Sequence, residues 1–306
     1  MELHAAHSGR EVMKALVYSV TESNAANLDQ LKSEIQEIIT FLLPVLPPYA
    51  PPLNSINQIM LAFESAQRHG LNLDELRDKV KSFEEITAPQ SVHDLMANYL
   101  VPVLPDRVTV YTHTLSETVL GVLLHLHSRG RINRVFVTES RPNNDGWTTA
   151  SKLMIAGVET LLTIDAGFPQ AVMKSDVMLS GSEIINQDGS VVCKVGVYPA
   201  AIFCQKVSIP VYIVADTDKI NPFDDSYFNF TPLTSQDLGL TGVPDGLQVT
   251  GSYFDITPSE FVTGYLTERG LLNAGDVALA AQQRPVSEWL KIQLQTKSTL
   301  TQGGKG

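Results

Sequence analysis

Between Arg107 and Asp216 the sequence alternates between two periods, and that alternation admits few folds. Short runs rich in Val, Ile, Leu and Tyr ("DRVTVYTH", "RVFVTE", "ETLLTID", "DVMLSG", "PVYIVAD") alternate with stretches that read as helices ("SETVLGVLLHLHSRG", "GWTTASKLMIAG", "YPAAIFCQKVSI"). Strands that are almost continuously apolar must be covered on both faces, and strands joined through helices run parallel. About five such units predict an α/β domain of doubly wound, Rossmann-like form with a mainly parallel sheet.

The first hundred residues keep a helical period instead. Leu28, Leu31, Ile35, Ile38, Ile39 and Leu42 recur at three- and four-residue spacing with charges between them. A second helix is expected after the prolines of "APPL", capped by Asn54 or Ser55 and stopped by Gly70. "LNLDELRDKVKSFEEI" and "SVHDLMANYLVPVL" continue the pattern. The expected organisation is an N-terminal helical domain over 1–104, the α/β domain over 105–272, and a C-terminal helix with a loose tail over 273–306. Residues 221–250 read as a turn-rich excursion. "YFDITPSEFVTGYLTERGLL" reads as a strand end and then a helix, opening at Thr257-Pro258 and stopping at Gly270.

The 306 residues are 43% apolar and 18% charged, enough to bury a large core. No apolar run reaches the roughly 18 residues of a membrane span. The start of the chain lacks the basic and apolar segments of a signal peptide. A soluble, cytoplasmic protein is expected. With 22 basic and 33 acidic residues the net charge is −11, which argues against a nucleic-acid partner. Two cysteines, Cys193 and Cys204, are too few for a disulfide framework or a cysteine-based zinc site. No G-x-G-x-x-G or P-loop follows the first strand. No metal and no cofactor are expected.

Open parallel sheets bind ligands beyond the carboxyl ends of their strands. In sequence order those ends carry Thr112-His113-Thr114 with Ser116 beyond, Glu139-Ser140-Arg141, Asp165, Gly181-Ser182-Glu183, and Asp216. Polar groups gathered on one edge suit a pocket for a small polar ligand. Several have a second reading. Ser116 suits a helix cap, and Asp165 and Asp216 suit strand-end caps. His125 and His127 are two apart on a helix and face different sides, so they make a poor metal pair. Cys204 falls on an apolar helical face. Cys193 precedes Lys194, whose charge would lower the thiol pKa, and it equally suits a buried inert thiol.

The residues "VFVTESRP", "GVETLLTIDA" and "SDVMLSGSEIINQDGSVVCKVGVYPAAIFCQKVSIPVYIVA" carry a resemblance. They are similar, in order and spacing, to the superfamily that joins the alpha, beta and delta regulatory subunits of translation initiation factor 2B to two sugar-phosphate isomerases. Those isomerases act on methylthioribose-1-phosphate and ribose-1,5-bisphosphate. The likeness runs from about Asp106 to Asp216 and resumes at "FDITPSEFVTGYLTERGLL". The isomerases resemble one another in a Thr-His-Cys turn with a catalytic cysteine, and in Gly-Ala-Asp-Arg with a catalytic aspartate. Here the turn ends in Thr114, and the aspartate position is Glu183. The following arginine is Ile184, and the asparagine before the lysine is Cys193. Threonine cannot supply a thiolate.

The resemblance therefore implies an alpha-like regulatory protein rather than an enzyme. It implies a pocket for a phosphorylated sugar or nucleoside monophosphate, lined by Arg141, Glu139, Asp165, Glu183, Cys193, Lys194 and Gly196. Lys194 and Arg141 would neutralise phosphate, and amides around Gly196 would add donors. It also implies a homodimer through the α/β domain, and a place beside other initiation factor 2B subunits in a guanine-nucleotide exchange complex. The alternative is an aldose-to-ketose phosphate isomerase with altered groups: Glu183 as base, and His113 with Thr114 on the electrophilic side.

Overall fold

A computed structural model of the chain describes residues 5–47, 49–83, 89–223, 228, 230 and 232–302. The chain forms two compact units. One comprises Met1–Ala88, Asp218–Asn229 and Ala280–Gly306; the other comprises Pro89–Thr217 and Phe230–Leu279.

The first unit is helical. It begins with α1 (Ala5–Glu22), α2 (Leu28–Leu42), α3 (Ala50–His69) and α4 (Leu73–Lys81). Leu31, Ile35 and Ile39 of α2 pack with Ile56, Met60 and Phe63 of α3 in its core. α3 starts earlier than the expected Asn54 or Ser55 cap. Pro51 and Pro52 occupy its first turn, where a missing N–H costs nothing, and Tyr49 sits at the cap. Gly70 ends it at φ 66°. α4 opens with a capping box between Asn72 and Glu75.

The second unit starts with α5 (Pro89–Leu100), so the boundary expected after residue 104 lies at Ala88/Pro89. Val92, Met96 and Leu100 explain the difference, because they pack into the core of the sheet. There follow β1 (Val108–Thr112), α6 (Glu117–Ser128), β2 (Ile132–Thr138), α7 (Asp145–Ile155), β3 (Thr160–Thr163), α8 (Phe168–Val172) and β4 (Val177–Ser180). Next come β5 (Ile184–Ile185), β6 (Val191–Lys194), α9 (Val197–Lys206), β7 (Val211–Val214), β8 (Phe254–Thr257), β9 (Gly264–Thr267) and β10 (Gly270–Leu272). The main sheet has the order β10-β9-β7-β4-β1-β2-β3, parallel except for the β9–β10 hairpin. The chain leaves β1 toward β3 and returns at β4, so the topological switch lies between β1 and β4.

A second sheet, β5-β6-β8, is antiparallel. It is absent from the expectations above, although "IINQDGSVV" carries an Asp-Gly turn between apolar pairs. Asp188 accepts from the Ser190 amide at 2.8 Å, and Gly189 takes φ 80°. The expected helix after Thr257-Pro258 is one short 3-10 turn, Ser259–Phe261. Tyr265 and Leu266 go into β9, where pairing beside β7 buries both. Residues 232–252 are turns and loops, as expected of the excursion.

The C-terminal region holds α10 (Ala274–Gln283) and α11 (Glu288–Gln302). The unit division falls inside α10 rather than at residue 273. The "TKSTLTQ" part of the expected loose tail is helical, and its last residues lie outside those described.

Gly146 marks how tightly α7 meets the end of β2: a Cβ there would sit 1.7 Å from the Thr138 carbonyl oxygen. Gly146→Ala is therefore expected to destabilise the protein by about 2–3 kcal/mol, the upper range for overpacking. Urea unfolding measures it, and a midpoint equal to that of the wild type would contradict the packing described.

Candidate functional site

The carboxyl ends of β1, β2 and β3 converge on His113. The imidazole is buried, at 3% exposure. Its Nε2 lies 2.9 Å from the Val195 carbonyl oxygen, so Nε2 carries the proton and donates. Its Nδ1 then accepts from the Thr138 hydroxyl. Ser140 Oγ lies a further 3.5 Å from Nε2. Burial lowers the His113 pKa, and the carboxylate of Asp165, 3.9 Å from Nδ1, opposes the shift without reversing it. His113 is a neutral imidazole whose single N–H is committed to Val195.

Gly196, at φ 107°, makes room for this ring. An added Cβ would come within 3.0 Å of His113 Cε1 and Nε2. The Gly196 and Tyr198 amides open α9, but they are not vacant. Both donate to Asp255 Oδ2, at 2.8 and 3.1 Å. The anion expected at this helix end is thus supplied by the chain itself. Asp255 arrives through the β6–β8 pairing, where it stands opposite Cys193. The sequence reading passed over it inside "FDITP".

Asp165 turns out to hold backbone. Its two carboxylate oxygens accept from the Ser140 and Arg141 amides at 2.8 and 2.7 Å. That fixes the Glu139-Ser140-Arg141 turn, in which Ser140 adopts φ 61°. Arg141 is exposed and its Nη2 donates to the Leu238 carbonyl at 3.1 Å, tying the excursion to this loop. Glu139 is partly buried; its amide donates to the Thr163 carbonyl at 2.9 Å.

Lys194 is buried, and Asp145 is its counter-ion at 3.3 Å. The Tyr253 and Phe254 rings lie 5.6 and 5.2 Å from its Nζ. Cys193 points elsewhere, since neighbours on a strand face opposite sides. Its thiol lies 3.3 Å from the Gly181 carbonyl and is 1% exposed. Lys194 therefore does not activate it. Gly181 in turn lies against Ser116, whose hydroxyl caps α6 by accepting from the Val119 amide at 3.3 Å. Glu183 is partly buried at the start of the β5–β6 hairpin, with its amide donating to the Val192 carbonyl at 2.8 Å.

Thr114 adopts φ 64°, unusual for a β-branched residue. Its carbonyl is held by Thr149 Oγ1 at 2.9 Å, and its own Oγ1 is buried without a hydrogen-bond partner among the described residues.

Burial raises the Asp255 pKa from 3.8 to about 6, against the two amide bonds. The folded chain thus holds this proton more tightly than the unfolded chain between those values. Stability contributed by Asp255 is full below 3.8 and is lost as the pH rises through about 6. The melting temperature of the wild type relative to Asp255→Asn should accordingly fall between pH 4 and pH 6. A difference that stays flat across that range would contradict the assignment.

The family model described as "Initiation factor 2 subunit family" matches residues 4–274. The chain is 26% identical to translation initiation factor eIF2B subunit alpha of Dictyostelium discoideum, over 87% of this chain and 88% of that one. It is 23% identical to ribose 1,5-bisphosphate isomerase of Methanocaldococcus jannaschii, over 89% and 88%. The crystal structure of 5-methylthioribose 1-phosphate isomerase from Pyrococcus horikoshii shares the fold. Its TM-score is 0.68 at 19% identity, covering 97% of this chain and 84% of that one. The fold is also shared with the tetrameric eIF2B-beta2-delta2 complex of Chaetomium thermophilum. There the TM-score is 0.67 at 18% identity, over 90% and 88%. The family match spans most of the sequence, and the chain belongs to the initiation factor 2 subunit family.

Proposed function

We propose that this protein is an alpha-type regulatory member of its family, which binds a phosphorylated sugar or nucleoside monophosphate at the strand carboxyl ends and leaves it unchanged. The observation that carries the reading is the state of the groups an isomerase would need. A 1,2-proton shift requires a base at the carbon and an acid at the oxygen. On the acid side, position 114 is threonine, and the one N–H of His113 goes to Val195. Cys193, which would have to replace the lost thiol, is buried against Gly181. Glu183 is left as the base of that alternative.

The binding half rests on Arg141 and Lys194, with Glu183 accepting from sugar hydroxyls. Asp165 and the Gly196 amide act one step back, by shaping the loops around the ligand. Assembly as a homodimer through the α/β unit, and with other subunits of the exchange complex, belongs to the same proposal. So does a cytoplasmic location. The similarity to an alpha subunit supports it, as does the absence of any helix long and apolar enough to cross a membrane among the described residues.

A second reading keeps isomerase chemistry, with Glu183 as base. It is favoured by the similarity to ribose 1,5-bisphosphate isomerase along most of the chain. One experiment separates the two. Ribose 1,5-bisphosphate, methylthioribose 1-phosphate and adenosine 5′-monophosphate are each added to the protein, and melting temperature and ligand NMR are followed over hours. A ligand specific to the folded state raises the melting temperature by mass action. The expected result is stabilisation by at least one compound with its spectrum unchanged, and an affinity at least tenfold weaker in Arg141→Ser. Appearance of a ketose phosphate, abolished in Glu183→Ala, would establish the second reading. No stabilisation by any of the three would overturn the binding half.

A further inference from the structure

The helical unit contains a cavity of about 500 Å³, within the range of small-molecule sites. None of the residues discussed in the strand-end site lines it. Its lining comes from α3, α4 and the segments around Asp218 and Pro285, all within that unit. Three cations, Arg68, Lys79 and Arg284, stand on its walls with two acids, Glu64 and Asp218. This local excess of positive charge stands out in a chain of net charge −11.

The acids have work of their own. Glu64 Oε1 accepts from the Ser287 hydroxyl at 2.6 Å and the Glu288 amide at 3.1 Å, which fixes the start of α11. Asp218 lies 3.8 Å from Arg284. Lys79 donates to Ser65 Oγ, a neutral acceptor, at 3.1 Å. Arg68 is exposed at the rim. Positive charge is thus left over for a bound anion.

Leu61, Ala62 and Phe83 give the lining an apolar part, and Asn57, Gln58 and Ser65 add neutral polar groups. A second, independent feature is Asn54, 6% exposed. Its Nδ2 donates to the Asp218 and Ile220 carbonyls, which fixes the amide's orientation. Its Oδ1 is then a buried acceptor without a hydrogen-bond partner among the described residues. Buried acceptors of this kind are uncommon and call for a donor. Asn54 is one of the residues lining the cavity, and a bound group carrying an N–H or O–H would provide that donor.

We propose that this cavity is a second ligand site, separate from the strand ends, for a small aryl anion: a carboxylate or phosphate head on a flat ring that bears a hydrogen-bond donor. Arg68, Lys79 and Arg284 take the head, the apolar part of the lining takes the ring, and Asn54 takes the donor. The proposal does not depend on the function assigned to the strand-end site.

The test uses 8-anilinonaphthalene-1-sulfonate, which has an anionic head, flat rings and an N–H. The full chain is titrated by fluorescence. Saturable one-to-one binding is expected, weakened about tenfold by Arg68→Glu and abolished by Leu61→Trp, which fills the cavity. Arg141→Ser, in the strand-end site, should leave it unchanged. Arg68 lies at the surface, so its replacement leaves folding intact, and circular dichroism checks the tryptophan variant. Displacement by phenyl phosphate or by benzoate, but not by inorganic phosphate alone, supports the site and identifies the head it takes. The proposal is overturned by any of three results: no saturable binding, binding indifferent to both cavity variants, or displacement by neither aryl compound.

Discussion

The site is organised around one buried histidine that uses both ring nitrogens. His113 receives a hydrogen bond from Thr138 at the end of β2 and gives one to the Val195 carbonyl between β6 and α9. It thereby joins the main sheet to the small antiparallel one. Two other features follow from the placing of this ring. Residue 196 has to be glycine, because a side chain there would strike the imidazole. The residue after His113 has to turn away sharply, which Thr114 does at positive φ. Low dielectric keeps the imidazole neutral, and a neutral ring is what a one-donor, one-acceptor arrangement requires.

Around it, the charges that a ligand-binding edge would display are largely balanced within the chain. Lys194 has Asp145, the α9 amides have Asp255, and the Ser140–Arg141 amides have Asp165. Buried charges need partners of this kind, because desolvation is severe without them. In the proposed reading this edge recognises a phosphorylated ligand by shape and through the exposed Arg141 guanidinium, whose Nη2 contact is the neutral Leu238 carbonyl.

Much of this was legible in the sequence, and the failures have physical causes. The five strands of the doubly wound sheet show because parallel strands buried on both faces leave runs such as "VTVYT" and "VYIV" that no amphipathic helix produces. Ser116 as a cap and Gly70 as a stop were readable because their roles are local. The small sheet was missed because β5 has two residues, too few to show a period. The extent of the first domain was missed because α5 is amphipathic whichever core it joins. At the candidate site, the positions of His113, Asp165 and Lys194 at the strand ends were readable from the sequence, but their partners were not. Asp145 and Asp255 lie 49 residues before and 61 after Lys194 in the chain, and only the fold brings them together. The same distance hid the occupation of the Gly196 amide, which from sequence alone looks free to bind phosphate.

The central claim is that His113 is a neutral structural group with its proton committed to Val195. Nitrogen-15 NMR of the imidazole, titrated from pH 8 to pH 5, tests it most directly. The account predicts the Nε2–H tautomer throughout, a ring proton protected from exchange, and a midpoint below the ordinary histidine value of about 6.5. A ring that protonates at or above that value, or one that carries its proton on Nδ1, would contradict it and return His113 to the list of available acids.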